Sequence, residues 1–149
     1  MPQSSSGFTL IELIAIMVIA SILGTGVIST YSNYNKWLDV NEEVLDMVNT
    51  LRRARDYCIA ANENFYLSVS TGADTYTLKY KASKDALKLP GASSNVFSLP
   101  DYADLTASSV GTDLEFNILG EPTGGATITI NNGDRSIIIV APTGYIYAQ

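Results

Sequence analysis

The stretch GFTLIELIAIMVIASILGTGVI, residues 7–28, decides how the rest of the chain is interpreted. Its residues are mostly apolar or small, and its only charged residue is Glu12. A helix needs about 20 predominantly apolar residues to cross a bilayer, so the segment is long enough for this. We therefore predict that residues 8–30 form the transmembrane half of a long helix.

The residues alone leave three other interpretations of this segment open. A secretory signal peptide carries a basic region before its apolar core, but the chain has no Lys or Arg before Lys36. An ordinary membrane anchor fits the length and gives no reason for an acid near one end. A buried core helix is the third interpretation, although apolar runs of this length are unusual in a small domain.

The single acid, Glu12, is costly at membrane depth. A carboxylate there costs about 2.5–3.5 kcal/mol on insertion scales, and such groups are usually paired. The neighbouring sequence offers no basic partner. A cut just before Phe8 would create an α-amine four residues upstream of Glu12. On a neighbouring copy, that amine would neutralise the carboxylate and fix the register between the two helices.

The motif GFTLIE, residues 7–12, resembles the processing site of type IV pilins and pseudopilins. The resemblance implies that a prepilin peptidase cuts between Gly7 and Phe8 and that Phe8 becomes N-methylated. It also implies that Glu12, together with Thr9, sets the register of the subunit in a filament. No cofactor and no metal is implied by this motif.

The same resemblance implies where the chain resides. Residues 1–7 would be a leader peptide, and the apolar helix would anchor a single-pass precursor in the bacterial inner membrane with its head in the periplasm. The implied partners are other pilins or pseudopilins and an inner-membrane assembly platform, and the destination is a periplasmic pseudopilus or a cell-surface pilus. Leaders of this family usually carry Lys or Arg, whereas Met1–Ser6 has none, so charge does not predict the orientation.

Residues 31–62 continue the pattern as an amphipathic half-helix. The apolar positions recur at steps of three and four residues, namely Trp37, Val40, Val44, Met47, Val48, Leu51, Ala54 and Cys58. No proline interrupts the chain from Phe8 to about Ala61, so we predict one continuous helix over that range. Cys58 lies on the apolar face, which predicts a buried thiol.

The period changes from 3.6 to 2 in the remaining residues, 63–149. Apolar residues alternate with polar ones over 65–69 and over 76–80, and Thr71–Asp74 has the composition of a hairpin turn. Residues 82–112 are rich in small and polar residues, which predicts a long loop with one or two short strands.

Further strands are predicted over Leu114–Ile118, Ala126–Asn131 and Tyr145–Tyr147. Asn132-Gly133 is a strong hairpin signal. Pairing across it places Ile128 and Ile130 on one face with Ile137 and Ile139, and the apolar Ile138 and Val140 predict that this strand is covered on both faces. The predicted fold is therefore α+β: a long N-terminal helix packed on a small antiparallel β-sheet head.

Composition excludes several functions. The 149 residues carry a net charge of −6 and contain no histidine and one cysteine, so most acid–base, triad and metal chemistry lacks its usual participant. The acids at Asp101, Asp104, Asp113 and Glu115 are scattered in a polar region without the spacing of a calcium loop. We predict neither an enzyme nor a metal site.

A second resemblance concerns the C-terminal third of the chain. Leu114-Glu115-Phe116, Gly120-Glu121-Pro122, the Ile128/Ile130 strand and Ile137 through Gly144 resemble the GspH/FimT-like minor pilins and pseudopilins. Some FimT-like proteins bind DNA through a basic C-terminal tail, whereas residues 145–149 hold no Lys or Arg.

The combined prediction is a structural subunit of a type IV pilus or a type II secretion pseudopilus. A minor subunit is favoured over a main filament subunit. A DNA-binding subunit, which would use Arg135, the cluster of Lys79, Lys81, Lys84 and Lys88, or stacking by Tyr145 and Tyr147, is the alternative.

Overall fold

The computed structural model describes residues 7–83, 85–110 and 113–149, and gives no side-chain description for 25–30 and 107. The rest of the predicted leader, residues 1–6, lies outside the described residues. The chain divides into two compact units, Met1–Leu38 and Asp39–Gln149.

One helix, α1, runs over Leu10–Ala61 and is 52 residues long. The prediction of a continuous helix is confirmed, with a start two residues later than Phe8 because Thr9 caps the first turn. Among the described residues, no helix has the length and apolar character that a membrane crossing requires.

In the second unit, α1 buries one face against the strands of the head. The predicted apolar face is confirmed for Val40, Val44, Met47, Val48, Leu51, Ala54 and Cys58, all of which are buried. Trp37 is an exception, since it belongs to the first unit and its side chain is 52% exposed. Burial, with the nearby Glu63 carboxylate, raises the pKa of the Cys58 thiol to about 11, so the thiol is kept protonated and buried, as predicted.

The head contains two four-stranded antiparallel sheets, where the sequence predicted one small sheet. The strands are β1 (Phe65–Ser70), β2 (Thr75–Tyr80), β3 (Val96–Ser98), β4 (Leu105–Ser108), β5 (Leu114–Phe116), β6 (Ala126–Ile130), β7 (Arg135–Val140) and β8 (Tyr145–Ala148). The first sheet has the order β3-β2-β1-β5 and the second β4-β6-β7-β8. The division arises because β5 pairs back to β1, with Phe65 opposite Phe116, instead of joining β6.

Most of the strand predictions for the first sheet are confirmed. The β1–β2 hairpin turns at residues 71–74. Among its described residues, the long segment 82–112 supplies two short strands, β3 in this sheet and β4 in the second sheet. The strand predicted over Leu114–Ile118 ends earlier, at Phe116. It ends there because the Asn117 side chain accepts hydrogen bonds from the amides of Leu119 and Glu121 and turns the chain.

The second sheet has the register that the hairpin signal predicted. Ile128 lies opposite Ile137, and these two residues are buried on one face together with Ile130 and Ile139. The turn is a short 3-10 segment, Asn131–Gly133, in which both asparagines adopt positive φ. On the other face, Ile138 and Val140 are only half-buried. The prediction that β7 is covered on both faces is therefore wrong, because one face is fully covered and the other is partly covered. The cross-strand neighbours on that face are the amphipathic Tyr147 and Tyr145, which leave it partly open.

Candidate processing and assembly site

The N-terminal motif begins α1 with a reciprocal hydrogen-bonded cap. The Glu12 carboxylate accepts from the Thr9 amide at 2.9 Å and from the Thr9 hydroxyl at 2.7 Å. In return, the Glu12 amide donates to the Thr9 hydroxyl oxygen at 3.3 Å. This is a capping box, in which a threonine before the first helical residue and a glutamate three positions later satisfy each other's amides.

The cap gives Thr9 and Glu12, two predicted site residues, a direct contact that the sequence interpretation missed. The sequence near Glu12 offers no basic partner, whereas Thr9 is a polar neighbour within reach of its carboxylate. The signal was nevertheless present, because Thr-x-x-Glu before an apolar run is the sequence signature of a capping box. In the single chain, the Glu12 carboxylate therefore has local partners.

The predicted scissile bond lies outside the helix. Residues 7–9 are not helical, and α1 begins at Leu10. Gly7 has open space around it, and the Phe8 side chain is 81% exposed. A protease needs exposed and irregular backbone, which is what the Gly7–Phe8 bond offers in this conformation.

The helix that follows the cap exposes apolar side chains on all its faces. From Leu10 to Leu23, each large apolar side chain is at least 47% exposed. A soluble monomer rarely exposes a contiguous apolar surface of this size, and such surfaces mark membrane or protein contacts. The apolar helix after the cap therefore has the exposed surface that is typical of a membrane or protein contact.

In the head, two arginines of α1 tie the helix to the last strand. Arg52 donates to the carbonyl oxygen of Ile146 from Nε at 2.9 Å and from Nη2 at 2.6 Å. Arg55 donates to the carbonyl oxygen of Gly144 at 3.2 Å. No motif in the sequence indicates that Arg52 satisfies the backbone of β8, because the contact joins residues 94 positions apart.

The acids considered for a metal site have other roles or stand apart. Glu115 accepts hydrogen bonds from Asn64 and from Lys81, and the Lys81 bond lowers the pKa of the Glu115 carboxyl most. Across the described ranges, no group of three or more His, Cys, Asp or Glu side chains is placed to hold a metal ion.

Four of the groups considered for nucleic-acid binding, Arg135, Lys81, Tyr145 and Tyr147, have contacts within the chain. Tyr145 and Tyr147 stack on each other with ring centroids 5.7 Å apart, and the Arg52 guanidinium lies over the Tyr145 ring. Arg135 donates to the Asn41 side chain, and Lys81 is paired with Glu115. Lys84, another member of the predicted basic cluster, lies outside the described residues.

Comparison with known proteins addresses the motif and the fold separately. Residues 2–28 match the family model described as the prokaryotic N-terminal methylation motif. None of the curated proteins has a sequence that matches the chain.

Solved structures match the fold at low sequence identity. The minor pseudopilin EpsH from the type 2 secretion system of Vibrio cholerae is 14% identical over 74% of this chain and 96% of its own, with a TM-score of 0.59. The type IV minor pilin FimU of Pseudomonas aeruginosa is 12% identical over 78% of this chain and 92% of its own, with a TM-score of 0.55.

The proteins that this chain resembles are pilin and pseudopilin subunits, not enzymes. The predicted α+β pilin-like fold is confirmed by these structural matches. Residues 2–28 thus match a prokaryotic N-terminal methylation motif, and the fold is similar to that of a minor pseudopilin and of a minor pilin.

Proposed function

We propose that this chain is a minor structural subunit of a type IV pilus or of a type II secretion pseudopilus. The observation that carries the proposal is the geometry of the N-terminal motif: an exposed Gly7–Phe8 bond directly before a capped, fully exposed apolar helix. The resemblance to EpsH supports the secretion system, and the resemblance to FimU supports the pilus.

In this proposal, a prepilin peptidase removes residues 1–7 and methylates the new amino terminus at Phe8. The apolar helix holds the precursor in the inner membrane as a single span over residues 8–30, with the head in the periplasm. An inner-membrane platform then transfers the subunit to a filament, where its helix packs among those of other pilins or pseudopilins. The exposure of the Leu10–Leu23 side chains supports these steps, because lipid covers such side chains in a membrane and neighbouring helices cover them in a filament.

Mass spectrometry of the full chain from native membranes or sheared filaments tests the processing step. We expect a mature protein that begins at N-methylated Phe8. Gly7→Val should block the cut without disturbing the fold, because nothing lies within 4 Å of a Cβ at Gly7. Gly72→Val in the β1–β2 turn has equally open surroundings and serves as the control that is still cut. A retained Met1 in assembled material would contradict the proposal.

We further propose that Glu12 pairs with the Phe8 amine of a neighbouring subunit in the filament. The pairing offsets the cost of a carboxylate in an apolar bundle, about 2.5–3.5 kcal/mol on insertion scales, and fixes the register. The Thr9 cap leaves this role open, because both cap hydrogen bonds end on Oε2 and an amine can approach Oε1 of the same carboxylate.

Three variants separate the charge of Glu12 from its cap. Glu12→Gln keeps a capping-box side chain but removes the charge, so we expect normal cleavage and at least about a tenfold loss of assembled subunit. Glu12→Ala removes both and should assemble no better. Thr9→Ala removes the cap hydroxyl, keeps the charge and should still assemble. Normal amounts of Glu12→Gln in filaments would refute the register role.

DNA binding in an uptake pilus remains the alternative function, and the 55% exposure of Tyr145 is the observation that favours it. A gel shift of the full chain in detergent against duplex DNA at low and high salt decides between the two. With a net charge of −6, we expect no shift. Tight binding that weakens steeply with salt would reverse the ranking.

A further inference from the structure

A cavity of about 110 Å³ opens in the head where α1 passes both sheets. Its floor is apolar and well packed, with Val40, Val44 and Met47 from the helix and Ile130 from β6, all nearly fully buried. It lies within the second unit and shares no residue with the N-terminal motif. Its volume suits one long side chain and not an extended ligand.

The rim of the cavity is acidic. Glu43 and Asp46 line it, and these two residues lie three positions apart on the same face of α1. In the described part of the chain, neither carboxylate has a basic group within 4 Å; the ion pair found there is Lys81–Glu115. Burial and the charge of Asp46 raise the pKa of the Glu43 carboxyl. The rim thus holds negative charge that the chain does not neutralise.

One wall of the cavity is aromatic. Tyr76 of β2 and Phe97 of β3 both line it, and their rings stack with centroids 4.9 Å apart and planes 12° from parallel. Aromatic faces attract cations, and a guanidinium both stacks on such faces and pairs with carboxylates in a planar fork. The aromatic wall therefore favours a cation, and so does the acidic rim.

We propose that this cavity binds a long basic side chain, arginine in preference to lysine, presented by another protein. The apolar floor covers the aliphatic stem, and the charged end meets Glu43 and Asp46 beside the aromatic wall. A purely apolar side chain would leave both carboxylates without a counter-charge, and an acidic one would be repelled. The inference does not depend on the proposed filament function, because it involves neither cleavage nor the apolar helix.

Small probes test the chemistry of the cavity in the full chain, held in detergent micelles. The probes are n-butylguanidinium, with stem and charge, and n-butylurea, which has nearly the same shape without charge. We expect saturable changes in the NMR methyl signals of Val40 and Val44 with n-butylguanidinium, and binding at least about tenfold weaker with n-butylurea. Equal affinity for the two probes would refute the proposal.

Variants locate the effect at the rim. The double substitution Glu43→Gln and Asp46→Asn should weaken n-butylguanidinium binding by about tenfold. Glu42→Gln, which removes an exposed acid beside them that does not line the cavity, should change it by less than about twofold. Equal losses in the two proteins would mean that general charge, not the cavity, attracts the probe, and would overturn the assignment. Thermal unfolding at a temperature no lower than that of the parent protein identifies losses that are not due to misfolding.

A photo-crosslinking side chain at the exposed rim residue Ser98 tests for the partner in cells. We expect a crosslinked product in which the peptide from the partner protein contains an Arg or Lys next to the crosslinked residue. The product should persist with Glu42→Gln and disappear with the Glu43→Gln/Asp46→Asn double variant. A product that persists in the double variant, or that maps to a segment without basic residues, would contradict the proposal.

Discussion

Gly144 and Gly120 pack backbone against backbone in the head. Both residues have positive φ, and a Cβ built on Gly144 would overlap the carbonyl oxygen of Gly120. A Cβ on Gly120 would lie 2.8 Å from the Arg55 Nε atom. The two glycines of the subgroup resemblance, in Gly-Glu-Pro and Pro-Thr-Gly, therefore meet in space over one arginine. The two glycines lie in separate segments of the sequence, so no local pattern predicts this contact.

Gly144→Ala should destabilise the head by about 2–4 kcal/mol, because the added methyl meets backbone that has no room to move and the φ is strained for alanine. Urea unfolding of the full chain in detergent, followed by circular dichroism, measures the change. Gly72→Ala, with nothing within 4 Å, is the matched control and should stay within about 0.5 kcal/mol. Equal stability of the two variants would mean that the segments at Gly120 and Gly144 can move apart without cost, and would contradict the prediction.

At the scale of elements, local sequence patterns predicted most of the strands and turns of the head. They did not predict which strands pair when those strands are far apart in the sequence. The alternation in β1 and β2, the Asn132-Gly133 turn and the apolar face of α1 are encoded within a few residues each, and all are confirmed. The pairing of β5 with β1 joins segments far apart in sequence, so neither period nor composition predicts it. The same reason explains why two sheets formed where one was predicted.

The contact of α1 with β8 is the other feature without a local signal, and Arg52→Met tests it. The variant keeps the apolar stem but removes the two donors to the Ile146 carbonyl. An unsatisfied, partly buried carbonyl costs about 1–3 kcal/mol, and we expect a loss of that size in urea unfolding. Arg53→Met, from an exposed neighbour that donates to the Pro90 carbonyl, should cost less than about 1 kcal/mol. A larger loss of stability for Arg53→Met than for Arg52→Met would mean that Arg52 does not stabilise the contact between α1 and β8.

At the scale of the whole molecule, two acids give stability opposite dependences on pH. Glu115 has a lowered pKa, mainly through its hydrogen bond from Lys81, so its contribution is full above the unfolded pKa and is lost as pH falls through the folded pKa. Glu43 has a raised pKa, mainly through burial, so the fold favours its protonated form and loses stability as pH rises through the folded pKa. The Glu43 carboxylate on the rim of the cavity therefore lowers stability at neutral pH.

Unfolding of two variants between pH 7 and about pH 3 measures both effects. Glu43→Gln should be more stable than the parent at pH 7, and this difference should vanish in acid as Glu43 becomes protonated. Glu115→Gln should be less stable than the parent at pH 7, and that difference should also shrink in acid. If the two variants shift stability in the same direction at pH 7, the assigned causes of the pKa shifts are wrong.

The capping box at the start of α1 has an energetic consequence for any assembly that uses Glu12. Both cap hydrogen bonds end on Oε2 of the carboxylate, so an incoming amine can approach Oε1 while the cap stays in place. The carboxylate is then held in one orientation before it meets a partner, and less side-chain freedom is lost when the pair forms. Removing the Thr9 hydroxyl would leave one cap hydrogen bond to the carboxylate and hold this orientation less firmly. Thr9, the second residue after the cut, thus prepares the acid for a neighbour and does not compete with it.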